Sequence, residues 1–223
     1  MMDFGGSLVV FEGIDGSGKS TQFDMMCTHL AYEGKGFKRI RFPRYDEPSA
    51  ALLKMYLNGE FGSDPKAVNP YAASAFFMVD RIASYLTDWK DAYEGGGLVV
   101  ADRYTTSNAV HQGAKMSYHK RETFFKWLYE YEFNLIELPK PNIVIYLDIE
   151  AKYAAKRISK RQEKTGSKGD IHEQSIAYLE KCAECGKQAA DYYGWKKLDC
   201  YDGERERTQD EIHKDVREIF AAL

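Results

Sequence analysis

The stretch Ser7-Leu8-Val9-Val10-Phe11-Glu12-Gly13-Ile14-Asp15-Gly16-Ser17-Gly18-Lys19-Ser20-Thr21 joins a short apolar run to a glycine-rich turn. Residues 13–20 match the pattern GxxxxGK[ST]. A strand that feeds such a turn and then a helix builds a phosphate-binding loop. Glycines let successive backbone N–H groups aim at phosphate oxygens. The helix N-terminus adds the positive end of its dipole. In that arrangement Gly13, Asp15, Gly16, Ser17, Gly18, Lys19, Ser20 and Thr21 form the loop around a nucleoside triphosphate. Lys19 reaches the β- and γ-phosphates, and the Ser20 hydroxyl holds Mg²⁺. The reading implies ATP with Mg²⁺. Asp15 is an anion inside an anion-binding loop, which makes sense if it points to a second substrate carrying hydroxyls.

Working outward, three more apolar runs stand at Lys38–Phe42, Leu98–Ala101 and Ile143–Leu147, with a weaker one at Lys197–Cys200. Short runs rich in Val and Ile, apolar on both faces, fit buried parallel strands. Helical stretches between them supply the crossovers that parallel pairing requires. The expected fold is α/β, a doubly wound sheet of five parallel strands. Asn69-Pro70 reads as an N-cap with proline at the first helical position, opening a helix that runs to Tyr93 before Gly95-Gly96-Gly97. Thr208 and Glu211 have capping-box spacing, followed by the stripe Ile212, Val216, Ile219, Phe220 and Leu223. Tyr118–Leu138 is an aromatic-rich helix whose Phe124, Phe125, Leu128, Tyr131 and Leu135 fit either a core or a dimer seam. Lys160–Gly169 has no apolar residue and reads as a mobile basic loop between two helices.

Composition narrows the classes. The chain has 223 residues, with 29% charged and 44% hydrophobic residues, the balance of a globular domain. A single domain over 1–223 is expected, with a lid at about 157–173. A net charge of −3 argues against a general nucleic-acid binder. The longest apolar runs, such as Ala75–Val79, have five residues, whereas a membrane span needs roughly 20. No basic-then-apolar leader is visible at the N-terminus. Four cysteines in a chain of this length suit reduced thiols and a cytoplasmic setting. Cys182-x-x-Cys185 has no second pair at ligand spacing, so it reads as buried thiols rather than a zinc site.

Further segments converge on the C-terminal strand ends, where ligands of such sheets gather. Phe42-Pro43-Arg44-Tyr45 follows the second strand. Phe77 and Arg81 lie four apart on one helix face, an aromatic plate beside a fork of donors that suits a flat heterocycle with carbonyl edges. Asp102-Arg103-Tyr104 follows the third strand, with Ser107 and Asn108 one turn later. Arg157 and Arg161, again four apart, border the basic segment.

Together these segments resemble thymidylate kinases of the P-loop nucleoside monophosphate kinase group. The resemblance rests on Phe-Glu-Gly-x-Asp-Gly-x-Gly-Lys-Ser-Thr at 11–21, Phe-Pro-Arg-Tyr at 42–45 and Asp-Arg at 80–81. Asp-Arg-Tyr-x-x-Ser-Asn at 102–108 and Leu-Pro-Lys-Pro-Asn at 138–142 complete it. It implies transfer of the ATP γ-phosphoryl group to dTMP, giving dTDP for dTTP synthesis, in a homodimer. It also implies roles. Asp15 binds the 3′-hydroxyl, Phe77 stacks on thymine and Arg81 reaches its O4 edge. Arg103, with Arg44 or Tyr45, holds the acceptor phosphate. Ser107 and Asn108 meet the base edge, Phe42 and Pro43 wall the base and sugar, and Asp102 helps place Mg²⁺. Glu173 falls on the acceptor side as well.

The chain departs from the family pattern in two places. Its phosphate loop has Gly16 and no arginine, so a lid cation must serve, with Arg157 and Arg161 the candidates and Lys160, Lys164 and Lys168 nearby. The lid continues Asp170-Ile171-His172-Glu173, of which only the acidic pair matches. His111 stands where relatives carry an aromatic ring near C2′ of the sugar, leaving a sugar-sensing role and a structural role both open. Two rival functions are a deoxynucleoside kinase, which needs a carboxylate base such as Glu12 or Asp102, and a regulatory P-loop ATPase.

Overall fold

The computed structural model describes residues 5–166 and 175–222. Five strands, β1 (Ser7–Glu12), β2 (Phe37–Arg41), β3 (Leu98–Asp102), β4 (Ile143–Asp148) and β5 (Lys196–Asp199), form one sheet in the order β2-β3-β1-β4-β5. All pairings are parallel, with Val10 opposite Ala101 on one side and Val144 on the other. The reason is legible in β1. Its odd residues Val9 and Phe11 join a core with Val100, Ile145 and Leu147. Its even residues Leu8 and Val10 join a second core with Val99, Ala101 and Val144. Both faces are buried, so the run carries no polar alternation.

The first face is covered by α1 (Lys19–Tyr32), α5 (Tyr118–Tyr129), α6 (Ala151–Thr165), α7 (Ile176–Tyr193) and α8 (Gln209–Ala221). Each contributes apolar side chains such as Phe23, Phe124, Ile158, Leu179 and Val216. The second face lies under the long helix opened by Asn69, whose Oδ1 accepts from the Ala72 N–H at 2.9 Å. That helix comprises α3 (Pro70–Ser84), a π-helical turn at Tyr85–Trp89 and α4 (Lys90–Glu94), while α2 (Ala51–Leu57) packs beside it. The π turn presents Tyr85 and Trp89 to the sheet. The capping box of α8 is present, with Glu211 Oε2 accepting from the Thr208 N–H at 2.7 Å. Ile212, Val216 and Phe220 are buried as the stripe requires, and Leu223 lies outside the described residues.

Two expectations change. The helix expected over Tyr118–Leu138 is α5 followed by a π turn at Glu130–Leu135; Phe124, Phe125 and Leu128 are core, whereas Leu135 is 68% exposed. The basic segment is not a loop from Lys160 onward, because α6 continues through Thr165 before Gly166 ends it in the left-handed region. Ala154 and Ile158 anchor α6 on the core, and the following Lys, Arg, Gln and Glu residues are good helix formers that extend it into solvent. The remainder of the expected lid, with Lys168, Asp170 and Glu173, lies outside the described residues.

Candidate active site

The loop between β1 and α1 is built as its spacing requires. Gly16 has φ +78°, and a Cβ there would meet the Ala154 carbonyl oxygen at 2.4 Å, so no other residue fits. Lys19 folds back over the loop, its Nζ 3.2 Å from the Ile14 carbonyl and 3.5 Å from Asp15 Oδ1. Burial pushes its pKa down, and Arg103 adds to that, while Asp15, Asp102 and Glu12 pull the other way.

Arg103 is the hub. It follows β3 with φ +69°, a conformation rare for a side chain of this size, held by its N–H bonding to the Phe11 carbonyl at 3.0 Å. The turn swings its guanidinium against the loop. NH2 is ion-paired with Asp15, NH1 donates to Ser107 Oγ at 3.2 Å, and NH1 stands 3.1 Å from His111 Nε2. Burial opposes its charge, but Asp15, Glu12 and Asp102 outweigh burial and hold its pKa above the ordinary value.

Glu12 is a brace that the motif reading overlooked. Its Oε1 accepts from the Gly13 N–H at 2.9 Å, and its Oε2 accepts from Thr106 at 2.6 Å and Ser107 at 2.7 Å. A carboxylate at the end of an apolar strand has to be paired in this way, which was the available signal.

Two hollows flank the loop. The first, of about 260 Å³, is lined by Asp15, Phe42, Pro43, Tyr45, Phe77, Arg81, Asp102, Arg103, Ser107, Asn108 and His111, as the sequence led us to expect. Arg41 and Gln112 join them unforeseen. The second, of about 450 Å³, runs along Gly16–Gln22 to Arg157, Arg207 and Gln209. Among the described residues the two share Lys19, Ser20 and Arg161. One hollow therefore suits a donor on the phosphate loop and the other an acceptor, with cations at the junction.

The acceptor wall is set by a buried network. Arg81 Nε donates to Glu132 Oε2 at 2.8 Å, and its NH2 is paired with the other oxygen. Asn108 Nδ2 donates to Glu132 Oε1 at 3.1 Å and to the Ser74 carbonyl at 3.3 Å. The pairing fixes Arg81 and Asn108 in the wall beside Phe77, which meets Tyr56 edge-on. Gln112 is fully buried, lines the hollow, and has no hydrogen-bond partner on either amide atom among the described residues. Neither Glu132 nor Gln112 was legible, since nothing local ties them to the motifs.

Other expected residues are placed differently. Arg44 is not among the side chains that line the hollow; its Nε donates to Asp80 Oδ1 at 3.0 Å and its NH2 to Ser49 at 3.0 Å. Arg157 buttresses the loop from behind, donating to the carbonyls of Gly16 and Ser17 and pairing with Glu206. Arg161 is the candidate lid cation that borders both hollows. Cys182 and Cys185 are buried on α7, burial pushes both thiols up, and no cluster of metal-ligating side chains occurs among the described residues. For Mg²⁺, Asp102 offers a fitting group. Its Oδ2 is paired with Arg41 at 2.9 Å, its Oδ1 is buried with no hydrogen-bond partner among the described residues, and it lines the same hollow as Ser20 at the start of α1.

Comparison with known proteins agrees with this geometry. The family model described as thymidylate kinase matches residues 11–215. The thymidylate kinase of Mycobacterium tuberculosis is 30% identical over 158 residues, covering 70% of this chain and 72% of the relative. That of Homo sapiens is 26% identical over 215 residues, covering 95% and 88%. A solved structure of thymidylate kinase from Candida albicans superposes with a TM-score of 0.72 at 23% identity, covering 97% of this chain and 92% of that one, which speaks for the fold. The match spans the phosphate loop, both hollows and the helices that line them, and so the chain belongs to the thymidylate kinase family.

Proposed function

We propose how the family's reaction, ATP-dependent phosphorylation of dTMP to dTDP, is carried out in this chain. The observation that carries the reading is the pair of hollows meeting at Lys19, Ser20 and Arg161. ATP lies along the loop, with Lys19 on its β- and γ-phosphates. The dTMP base stacks on Phe77 against the Arg81–Asn108–Glu132 wall, its sugar rests on Phe42 and Pro43, and Asp15 takes the 3′-hydroxyl. Arg103 and Tyr45 hold the acceptor phosphate. Ser20 and Asp102 would hold Mg²⁺, which supplies further neutralisation of the triphosphate.

No general base is required, because the attacking oxygen belongs to a phosphate that is already anionic. Catalysis then consists of aligning two anions and neutralising the charge that develops on the transferred group. Lys19, Arg103 and Arg161 would serve this, with Arg103 held by Asp15 and Ser107 and Lys19 by the Ile14 carbonyl. Of the two carboxylates a hydroxyl-phosphorylating enzyme could use, Glu12 is already engaged by Gly13, Thr106 and Ser107 and Asp102 is paired with Arg41, which favours a phosphate acceptor.

The wider reading is one kinase domain over 1–223 with a lid at about 157–173, of which residues 167–173, Glu173 among them, lie outside the described residues. A homodimer is supported by Val79 and Leu86, 40% and 59% exposed along the same helix. No helix among the described residues is long and apolar enough to cross a membrane, and four buried free thiols suit a cytoplasmic protein. The test is ADP release with Mg²⁺–ATP across dTMP, dUMP, UMP, dCMP, AMP and thymidine. Turnover strongest with dTMP and absent with thymidine is expected. Turnover with thymidine alone would move the acceptor to a hydroxyl and remove the assigned role of Arg103.

A further inference from the structure

A third cavity, of about 340 Å³, lies away from the phosphate loop, between the start of β4 and β5 and the end of α5. That volume falls in the range of about 300–1,000 Å³ usual for small-molecule sites. Its walls are aromatic. Trp195 stacks on Tyr193 at 5.5 Å and 13°, and Tyr129 lies nearly parallel to Tyr193 at 6.5 Å and 21°. Lys140 and Lys196 stand at this wall, the first with its Nζ 4.8 Å over the Tyr129 ring, and no carboxylate lines the cavity among the described residues. Flat rings beside cations in a lining that has no carboxylate among the described residues favour a flat ring bearing a negative charge.

One turn of chain separates this cavity from the acceptor hollow. In the segment that follows Arg103, Thr105, Thr106 and Ala109 line the aromatic cavity, while Ser107, Asn108, His111 and Gln112 line the acceptor hollow. Thr106 also donates to Glu12, which holds the Gly13 N–H of the phosphate loop. We propose that the aromatic cavity is a second ligand site for a planar aromatic anion, and that filling it stiffens this turn and tightens acceptor binding. The site itself stands on the cavity alone; its coupling to the acceptor rests on the kinase reading above. A turn backed by a hollow can shift into it, and a ligand that fills the hollow removes that freedom, so that the acceptor no longer has to order the turn.

The probe is anilinonaphthalene sulfonate, titrated by fluorescence into the full chain with and without saturating dTMP. One saturable site is expected, and dTMP should tighten it to a finite limit of about fivefold, with the reciprocal tightening of dTMP by the probe. The double variant Lys140→Glu, Lys196→Glu should weaken the probe about tenfold. The uncharged anilinonaphthalene should bind the variant as it binds the parent, which also verifies the fold. Equal probe affinity in parent and variant would overturn the site. Displacement by dTMP without limit would place the probe in the acceptor hollow and overturn it too. Unchanged or weakened affinity at saturating dTMP would overturn the coupling. ADP release with dTMP, run without probe, tests the kinase reading separately.

Discussion

Arg103 NH1 stands 3.1 Å from His111 Nε2. A guanidinium has only donors, so Nε2 must accept, and the neutral ring carries its proton on Nδ1, 3.6 Å from Cys182 Sγ. The backbone of His111 is fixed as well, since its carbonyl accepts from the Tyr178 hydroxyl at 2.6 Å. His111 is thereby a positioning residue for Arg103, the arginine proposed above to meet the acceptor phosphate. His111→Ala should raise the KM for dTMP by about tenfold, the loss of one hydrogen bond to a charged group, and leave the KM for ATP nearly unchanged. His111→Gln keeps an acceptor in reach and should recover most of the loss. Steady-state kinetics on the two variants decides, and equal losses would remove the acceptor role.

Gln112 carries a different expectation, because stability and activity should move in opposite directions. Its amide is buried with no hydrogen-bond partner on either side among the described residues. A buried unsatisfied group of this kind costs about 1–3 kcal/mol. Gln112→Leu removes that cost at similar volume, so the urea midpoint should stay or rise. The same change deletes a donor and an acceptor facing the acceptor hollow, so the KM for dTMP should rise by about tenfold or more. A lower midpoint with unchanged KM would show that the amide serves the fold instead.

Glu132 and Arg81 form a pair in which both side chains are almost completely buried. Removing one partner strands a charge in the core. Glu132→Leu should therefore lower stability by about 3–5 kcal/mol, measured by urea unfolding. The double variant Arg81→Met, Glu132→Leu should lie closer to the parent, since it leaves no buried charge. It should still lose dTMP affinity, because Arg81 and the Asn108 partner are gone from the wall. Retention of dTMP affinity in the double variant would mean that Arg81 is purely structural.

The sequence made the sheet and the loop legible because both are written locally. The apolar runs at 7–11, 98–101 and 143–147 read as buried strands and lie within β1, β3 and β4, and glycines at 13, 16 and 18 read as a phosphate loop. The Asn69 cap and the Thr208–Glu211 box are equally local, and both are present. What the sequence leaves illegible depends on partners distant in the chain. Arg44, read as a phosphate ligand from its motif, is bonded to Asp80, 36 residues away, a pairing that no local pattern announces. Arg157 looked like a lid cation, but Glu206 and the loop carbonyls hold it 49 and about 140 residues from their positions in the chain. Glu132 and Gln112 sit in helical stretches with no flanking motif, and only the folded network gives them meaning. The Lys160–Thr165 stretch failed for another reason: absence of apolar residues was read as loop, although helix propensity persists without burial.

Lys115 supplies the pH test. Its Nζ donates to the Val68 carbonyl at 2.9 Å and lies 4.8 Å over the Tyr56 ring. Burial pushes its pKa down to about 7 from an ordinary 10.5, with Asp64 opposing weakly. Between those two values the unfolded chain holds a proton that the folded chain releases. The unfolded state thus binds more protons, and stability must rise with pH across the window. Below about 7 both states are protonated, so the destabilisation from burying the charge is complete and no longer varies with pH. Above 10.5 both are neutral and it vanishes. Lys115→Met has no such titration. The difference in urea midpoint between parent and Lys115→Met should therefore shift steadily in favour of the parent as pH rises through the window, and be flat on either side. Taking the difference cancels the buried tyrosines and cysteines, which titrate in both proteins. A difference that does not change with pH would mean that the bond to Val68 and the Tyr56 ring keep the folded ammonium as well solvated as the unfolded one.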